Sequence, residues 1–162
     1  MADWIEAGDK APDFSLVAHD GSRCKLSTLR GKTVILYFYP RDDTPGCTKE
    51  ACGFRDAIAD LEAAGAVVLG VSPDSPESHA RFREKYSLPF TLLADPNHAV
   101  AEKYGAWREK NMYGKKTLGI ARSTFIVGPD GRVAKVFKAV RTAVHAEQVL
   151  KALAAITAAN RD

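Results

Sequence analysis

A cysteine set between two strongly patterned segments constrains this chain most. Residues 33–39 are Thr-Val-Ile-Leu-Tyr-Phe-Tyr, β-branched and aromatic throughout, the composition of a buried strand. After them Cys47, Ala51, Phe54, Ile58 and Leu61 recur at helical spacing and form one apolar stripe. The eight residues from Pro40 to Cys47, Pro-Arg-Asp-Asp-Thr-Pro-Gly-Cys, must therefore turn a strand into a helix. Such a junction leaves backbone N–H groups without acceptors and presents the positive end of the helix dipole, so a sulfur there is favoured as a thiolate. Thr44 lies three residues before Cys47, close enough in a tight loop for its hydroxyl to point at the same spot, and Pro40 and Pro45 restrict the backbone. The bland reading of Cys47 is a small buried hydrophobe, inert because apolar surroundings disfavour the thiolate. The helix start and the Thr44 hydroxyl weigh against it.

The spacing Pro40, Thr44, Cys47 resembles the peroxiredoxin signature Pro-x-x-x-Thr-x-x-Cys. The longer run 37–56 is similar to the bacterioferritin-comigratory or peroxiredoxin Q group, in which a second cysteine follows five residues after the first, here Cys52. Ala11-Pro12-Asp13-Phe14 resembles the group's opening segment, and residues 121–125, Ala-Arg-Ser-Thr-Phe, the segment that supplies its active-site arginine, here Arg122. The resemblance implies a thiol peroxidase with no cofactor, using Cys47 as peroxidatic and Cys52 as resolving thiol, joined in an intramolecular disulfide. It also implies peroxide as substrate, a thioredoxin-type reductant as partner, and a monomer.

Geometry sets a condition on that disulfide. Five residues along an ideal helix give a rise of about 7.5 Å, a rotation of about 140° and a Cα separation of about 9 Å, beyond the roughly 7 Å a disulfide spans. The first turns must unwind for the two sulfurs to meet, and Gly46 and Gly53 lower the helical propensity of the segment. The alternative leaves Cys52 on the helix flank beside Arg55, never meeting Cys47. Glu50, three residues after Cys47, either hydrogen-bonds to groups of the site or complements the helix start. Arg122 is a charge within an otherwise apolar segment and needs a partner or an edge position. Cys24 alternates in phase with Leu26 and reads as structural.

Along the chain, residues 14–18 and 23–26 flank Asp20-Gly21 as an N-terminal hairpin, and Ser27 is expected to cap a short turn. Strand 33–39, a helix over 47–63 and strand 66–71 make a βαβ unit. Pro76 opens a helix to about residue 86, 90–93 is a strand, and a helix runs from Asp95-Pro96 to about 104. Residues 105–119 read as a long polar loop, with 108–116 a solvated basic cluster. Strands 120–127 and 132–137 pair around Pro129-Asp130-Gly131, and Thr142 is expected to cap a last helix. The expected fold is α/β, thioredoxin-like, a mixed central sheet flanked by helices, built as one domain over residues 1–162.

With 162 residues, 46% hydrophobic, the chain is long enough for a full core. A net charge of +3 gives nucleic-acid binding little support. No run approaches the roughly 20 apolar residues of a membrane span, and the acidic first residues lack a signal-peptide pattern, so a cytoplasmic protein is expected. His19, His79, His98 and His145 show no ligand spacing and no Gly-rich phosphate loop is present, so neither metal nor nucleotide is expected. Two competing readings are a thioredoxin-class dithiol oxidoreductase, whose Cys-x-x-Cys spacing differs from the four residues between Cys47 and Cys52, and a redox-sensing or chaperone module.

Overall fold

The structure, a computed structural model, describes residues 3–159. Its strands are β1 (Ser15–Ala18), β2 (Arg23–Lys25), β3 (Thr33–Phe38), β4 (Ala66–Ser72), β5 (Thr91–Ala94), β6 (Trp107–Met112), β7 (Lys115–Ile120), β8 (Ser123–Val127) and β9 (Val133–Phe137). Its helices are α1 (Pro45–Asp56), α2 (Ile58–Ala63), α3 (Pro76–Lys85), α4 (Ala99–Tyr104) and α5 (His145–Ala159). Seven strands form one mixed sheet in the order β2-β1-β5-β4-β3-β8-β9, with β3, β4 and β5 parallel and β8 antiparallel to β3. This is the thioredoxin-like arrangement expected, with the N-terminal hairpin β1–β2 attached at the edge through β5.

Strand β3 explains why its sequence is apolar at every position. Val34, Leu36 and Phe38 enter one core with Phe14, Val100, Tyr104 and Phe125, while Ile35, Tyr37 and Tyr39 enter the other beneath α1, α3 and α5 with Phe54, Phe82 and Val149. A strand covered on both faces has no polar side to alternate with. Its C-terminal end delivers the chain directly into the loop before α1. Cys24, on β2, is half-buried against the first core, and burial pushes its thiol up, in keeping with a structural role.

Several boundaries differ from the sequence reading. The expected helix 47–63 starts two residues earlier, because Pro45 takes the first helical position, and breaks at Ala57, whose φ of −98° and ψ of 4° lie outside the helical well. The expected loop 105–119 is largely a second sheet, the hairpin β6–β7, in register from Trp107 opposite Ile120 to Met112 opposite Lys115. Its turn is Tyr113-Gly114, both at positive φ (55° and 80°), the geometry of a two-residue hairpin turn. Ser27 lies inside a 3-10 turn, Leu26–Leu29, with its N–H donating to Asp13. The last helix begins at His145, beyond Thr142. α3 starts at Pro76 as expected, with Ser75 Oγ accepting from Ser78 N–H at 3.1 Å, whereas α4 starts at Ala99, beyond the expected Asp95-Pro96, and the Asp95 carboxylate accepts from Val100 and Ala101 N–H at its start.

Candidate active site

The third residue of α1 is Cys47, 1% exposed on the inner face of the helix. Thr44 caps the helix through its backbone, its carbonyl accepting from Thr48 N–H at 2.8 Å. Its hydroxyl is not aimed at the sulfur but donates to Arg41 O at 3.0 Å, closing the loop on itself. Pro45 has no N–H, and the amides of Gly46 and Cys47, in the first turn, have no intrahelical acceptor. Pro40 is half-buried at the point where β3 gives way to the loop.

Arg122 stands over this turn. It is not within a strand, as its sequence neighbours imply, but in the break between β7 and β8, where the backbone leaves one sheet for the other. Its guanidinium lies so close to Gly46 that a Cβ there would sit 3.1 Å from Nη2, so a side chain at position 46 would press the guanidinium back by a few tenths of an ångström. Glu50, one turn along α1 from Cys47, is buried with Oε1 3.6 Å from Arg122 Nη1, an ion-pair distance too long for a hydrogen bond. Neither Glu50 oxygen nor Arg122 Nη1 has a hydrogen-bond partner among the described residues. Tyr37 completes the floor. Its ring packs on Tyr39 and Phe54, and its hydroxyl, unpartnered, lies over its cross-strand neighbour Gly70, where a Cβ would be 2.8 Å from Tyr37 Cζ.

Burial pushes the Glu50 carboxyl up to about 8, against the opposing pull of Arg122. Folded Glu50 therefore holds its proton at neutral pH, whereas unfolded Glu50 loses it above the ordinary carboxylate range. Between that range and about pH 8 the folded state binds the extra proton, so this group's contribution to stability is greatest below the range and is lost as pH rises to about 8. Glu50→Gln removes the ionisation. Relative to wild type, the variant should gain about 2 kcal/mol or more in urea unfolding on moving from pH 5 to pH 8.5; an equal difference at the two pH values would show that Glu50 ionises normally. Burial, and the nearby Glu50 and Cys47, likewise hold the Tyr37 hydroxyl well above its ordinary range, so it stays neutral.

A second network holds the loop. Asp42 is buried and accepts from Tyr39 Oη at 2.6 Å and Ser78 Oγ at 2.8 Å, and lies 2.8 Å from His79 Nδ1. His79 Nε2 donates to Leu93 O, and Asp42 N–H donates to Asp74. Asp42, Asp74 and His79 bring three potential metal-ligand atoms within 4.8 Å of one another, and these hydrogen bonds already engage them. Next door, Asp43, at φ 58°, is held by Lys85 Nζ and Tyr86 Oη, each at 2.7 Å. The sequence signal for this anchoring was the acidic pair before Thr44; the partners, about 36 to 43 residues away, were invisible.

The second thiol, Cys52, is half-buried further along α1, and all three cysteines are free. The structure thus places Pro40, Thr44, Gly46, Cys47, Glu50 and Arg122 around one helix start, and leaves Cys52 more than a turn away on the same wound helix.

A thioredoxin-like sheet with a buried thiol at the start of the helix after its central strand, and an arginine beside it, defines the class of thiol proteins called peroxiredoxins. Residues 7–136 match the AhpC/TSA family, and the chain belongs to it. Within that family it falls in the bacterioferritin-comigratory, or peroxiredoxin Q, group. It is 47% identical over 149 residues to peroxiredoxin Bcp of Bacillus subtilis, covering 92% of this chain and 95% of that one. The bacterioferritin comigratory protein of Xanthomonas campestris, studied for alkyl peroxide reduction, superposes with a TM-score of 0.87 at 40% identity, covering 93% and 98% of the two chains. A peroxiredoxin Q variant from Xylella fastidiosa superposes at 0.90 with 33% identity, covering 96% and 99%.

Proposed function

We propose that this chain is a thiol-dependent peroxidase that reduces hydrogen peroxide and organic hydroperoxides through Cys47. The observation that carries the reading is a buried Cys47 in the first turn of α1, with the Arg122 guanidinium packed against the neighbouring Gly46. Cys47 thiolate attacks the terminal oxygen of the hydroperoxide, the O–O bond breaks, and its electron pair leaves with the other oxygen. That oxygen takes up a proton equivalent to the one Cys47 released, giving an alcohol or water and Cys47 sulfenic acid. Arg122 and the Thr44 hydroxyl, once rotated from Arg41 O, stabilise the charge on the leaving oxygen as preorganised donors. Neutral Glu50, beside Arg122, leaves the guanidinium charge unquenched.

Cys52 then attacks the sulfenic sulfur, releasing water and forming the Cys47–Cys52 disulfide. A thioredoxin-type dithiol reduces that disulfide and becomes oxidised itself. Both thiols lie in one helix, so the cycle needs no second copy of the chain and suits a monomer. Three free thiols fit a reducing compartment such as the cytoplasm.

The test is single-turnover consumption of hydrogen peroxide by the reduced protein, followed by peptide mass mapping. Wild type should consume the peroxide with oxidation at Cys47, and Arg122→Met should do so about a hundredfold more slowly while unfolding cooperatively as wild type does. An unmodified Cys47 in wild type, or an unchanged rate in Arg122→Met, would reject the corresponding role.

A further inference from the structure

The segment that carries Cys47 is tied to α3 at both ends. Before the helix lie Asp42 and Asp43, and they are held in unlike ways. Asp42 is buried; its carboxylate engages Tyr39, Ser78 and His79, and its N–H donates to Asp74. Freeing Asp42 would leave several buried polar groups unpaired, so the chain up to that residue is a fixed post. Asp43 is exposed and stands at φ 58°. A left-handed backbone crowds Cβ against the carbonyl that follows, and aspartate tolerates it better than most residues but still at a cost. Its carboxylate is pinned from outside the loop, by Lys85 Nζ and Tyr86 Oη at the C-terminal end of α3. A strained residue between a fixed post and a helix that must unwind has the makeup of a hinge.

Of its two donors, Tyr86 is the better placed to hold it. The Lys85 side chain is 57% exposed and the Asp43 side chain 42%, so their ion pair sits on a flexible stem in water and is weakened by salt. Tyr86 caps the end of α3, and its half-buried ring packs edge-on against Phe82 with centroids 5.5 Å apart. Its hydroxyl is therefore presented with little freedom left to lose. The same residue holds the far end of the segment, its carbonyl accepting from Arg55 Nη1 at 2.8 Å. Tyr86 thus spans the helix that carries Cys47, with its hydroxyl on the residue before the active-site turn and its carbonyl on the last turn.

We propose that Asp43 is the hinge on which the active-site loop and α1 open, and that the Tyr86 hydroxyl is the latch that keeps them closed. Both are positioning residues. That the hinge opens once in each cycle rests on the disulfide step of the peroxidase reading; the latch itself can be measured on the reduced protein without peroxide.

The experiment is hydrogen exchange on the reduced full chain, read at the amides of residues 48–52, which report opening of α1, and at those of β3 and β4, which report global unfolding. Tyr86→Phe keeps the ring and the carbonyl and removes the hydroxyl alone. Because its bond to Asp43 breaks in both kinds of opening, exchange should rise about five- to tenfold at both sets of amides. Ser78→Ala, which weakens the post at Asp42, should speed β3 and β4 but leave 48–52 within about twofold of wild type. Lys85→Met should change 48–52 by about twofold or less. Asp43→Asn still accepts from Tyr86 and should stay within about threefold, whereas Asp43→Ala should exceed about tenfold. Asp43→Gly, which sheds the strain, should exchange about threefold more slowly than Asp43→Ala. Unchanged exchange at 48–52 in Tyr86→Phe would overturn the latch, because the contact would then survive opening. A larger effect in Lys85→Met would move the latch to the ion pair. Speeding of 48–52 in Ser78→Ala, or equal rates in Asp43→Ala and Asp43→Gly, would overturn the hinge. With one equivalent of hydrogen peroxide, the sulfenic acid of Cys47 should condense with the Cys52 thiol, the S–S bond forming and water leaving, about five- to tenfold faster in Tyr86→Phe than in wild type. An unchanged rate there would remove Tyr86 from the cycle. If wild type formed no linkage while Tyr86→Phe still opened α1, the disulfide reading would fall and the latch would stand.

Discussion

Cys47→Ser should abolish hydroperoxide consumption, lowering the single-turnover rate by on the order of a thousandfold or more. Serine keeps nearly the volume of cysteine, so the fold should survive with a cost of about 1–2 kcal/mol for a buried hydroxyl. What is lost is the nucleophile. An alcohol stays protonated at neutral pH, and no base stands close enough to ionise it, since Glu50 is itself protonated and Tyr37 neutral there. Arg122 favours an anion, but it cannot bring an alcohol within the pH range in which a thiol ionises. Cys24→Ser is the matched control. It changes a half-buried thiol on β2 that packs against the opposite core and should keep the full rate. Stopped-flow peroxide consumption with calorimetric unfolding checks both variants. A Cys47→Ser protein that kept a tenth of the wild-type rate would remove Cys47 from the role of nucleophile.

The thiol and its helix could be read from sequence because local rules agree there. A continuous β-branched and aromatic run and an apolar stripe beginning at Cys47 point to the same junction, although the helix start itself, at Pro45, lies two residues before the expected one. Arg122 was reached only through resemblance, and its own neighbours misled. Ile120 and Thr124 read as one strand, whereas the chain breaks between them and uses the break to turn the guanidinium over Gly46. The β6–β7 hairpin was missed for a different reason. It lies off the main sheet, its polar residues on β7 face solvent, and a Lys/Asn/Thr-rich ribbon shows no period of two to detect. Its turn is Tyr-Gly rather than the Asn-Gly that signals such a geometry. The Asp42–His79 pairing joins the catalytic loop to α3 over a separation of 37 residues, beyond any local pattern.

Cys52→Ser should complete one turnover and then stop, with steady-state activity under a thioredoxin-type reductant falling to about a hundredth of wild type or less. The first chemical step does not involve Cys52, so its rate should be unchanged, and sulfenic acid should persist on Cys47. In wild type, one equivalent of peroxide should instead produce a Cys47–Cys52 linkage, and that bond cannot form on a wound α1, where the Cα atoms stand about 9 Å apart. Unwinding is bounded on the C-terminal side. Ala57 already separates α1 from α2, so α2 and the strand after it need not move. Phe54 is fully buried against Tyr37, Phe90 and His145, and Arg55 Nη1 donates to Tyr86 O at 2.8 Å, so the last turn of α1 is anchored. Exposing Phe54 would cost about 3 kcal/mol, which favours opening the segment from 45 to 52 and sparing 54 to 56. Oxidation should accordingly lower far-ultraviolet helicity by about two turns, and speed amide exchange at residues 47–52 while leaving Phe54 protected. A linkage formed with α1 fully protected would exclude unwinding, and sustained steady-state turnover by Cys52→Ser would show that the reductant reaches Cys47 directly. The geometry argues against that second outcome: with Cys47 1% exposed, a protein reductant has no path to the sulfur until the helix opens.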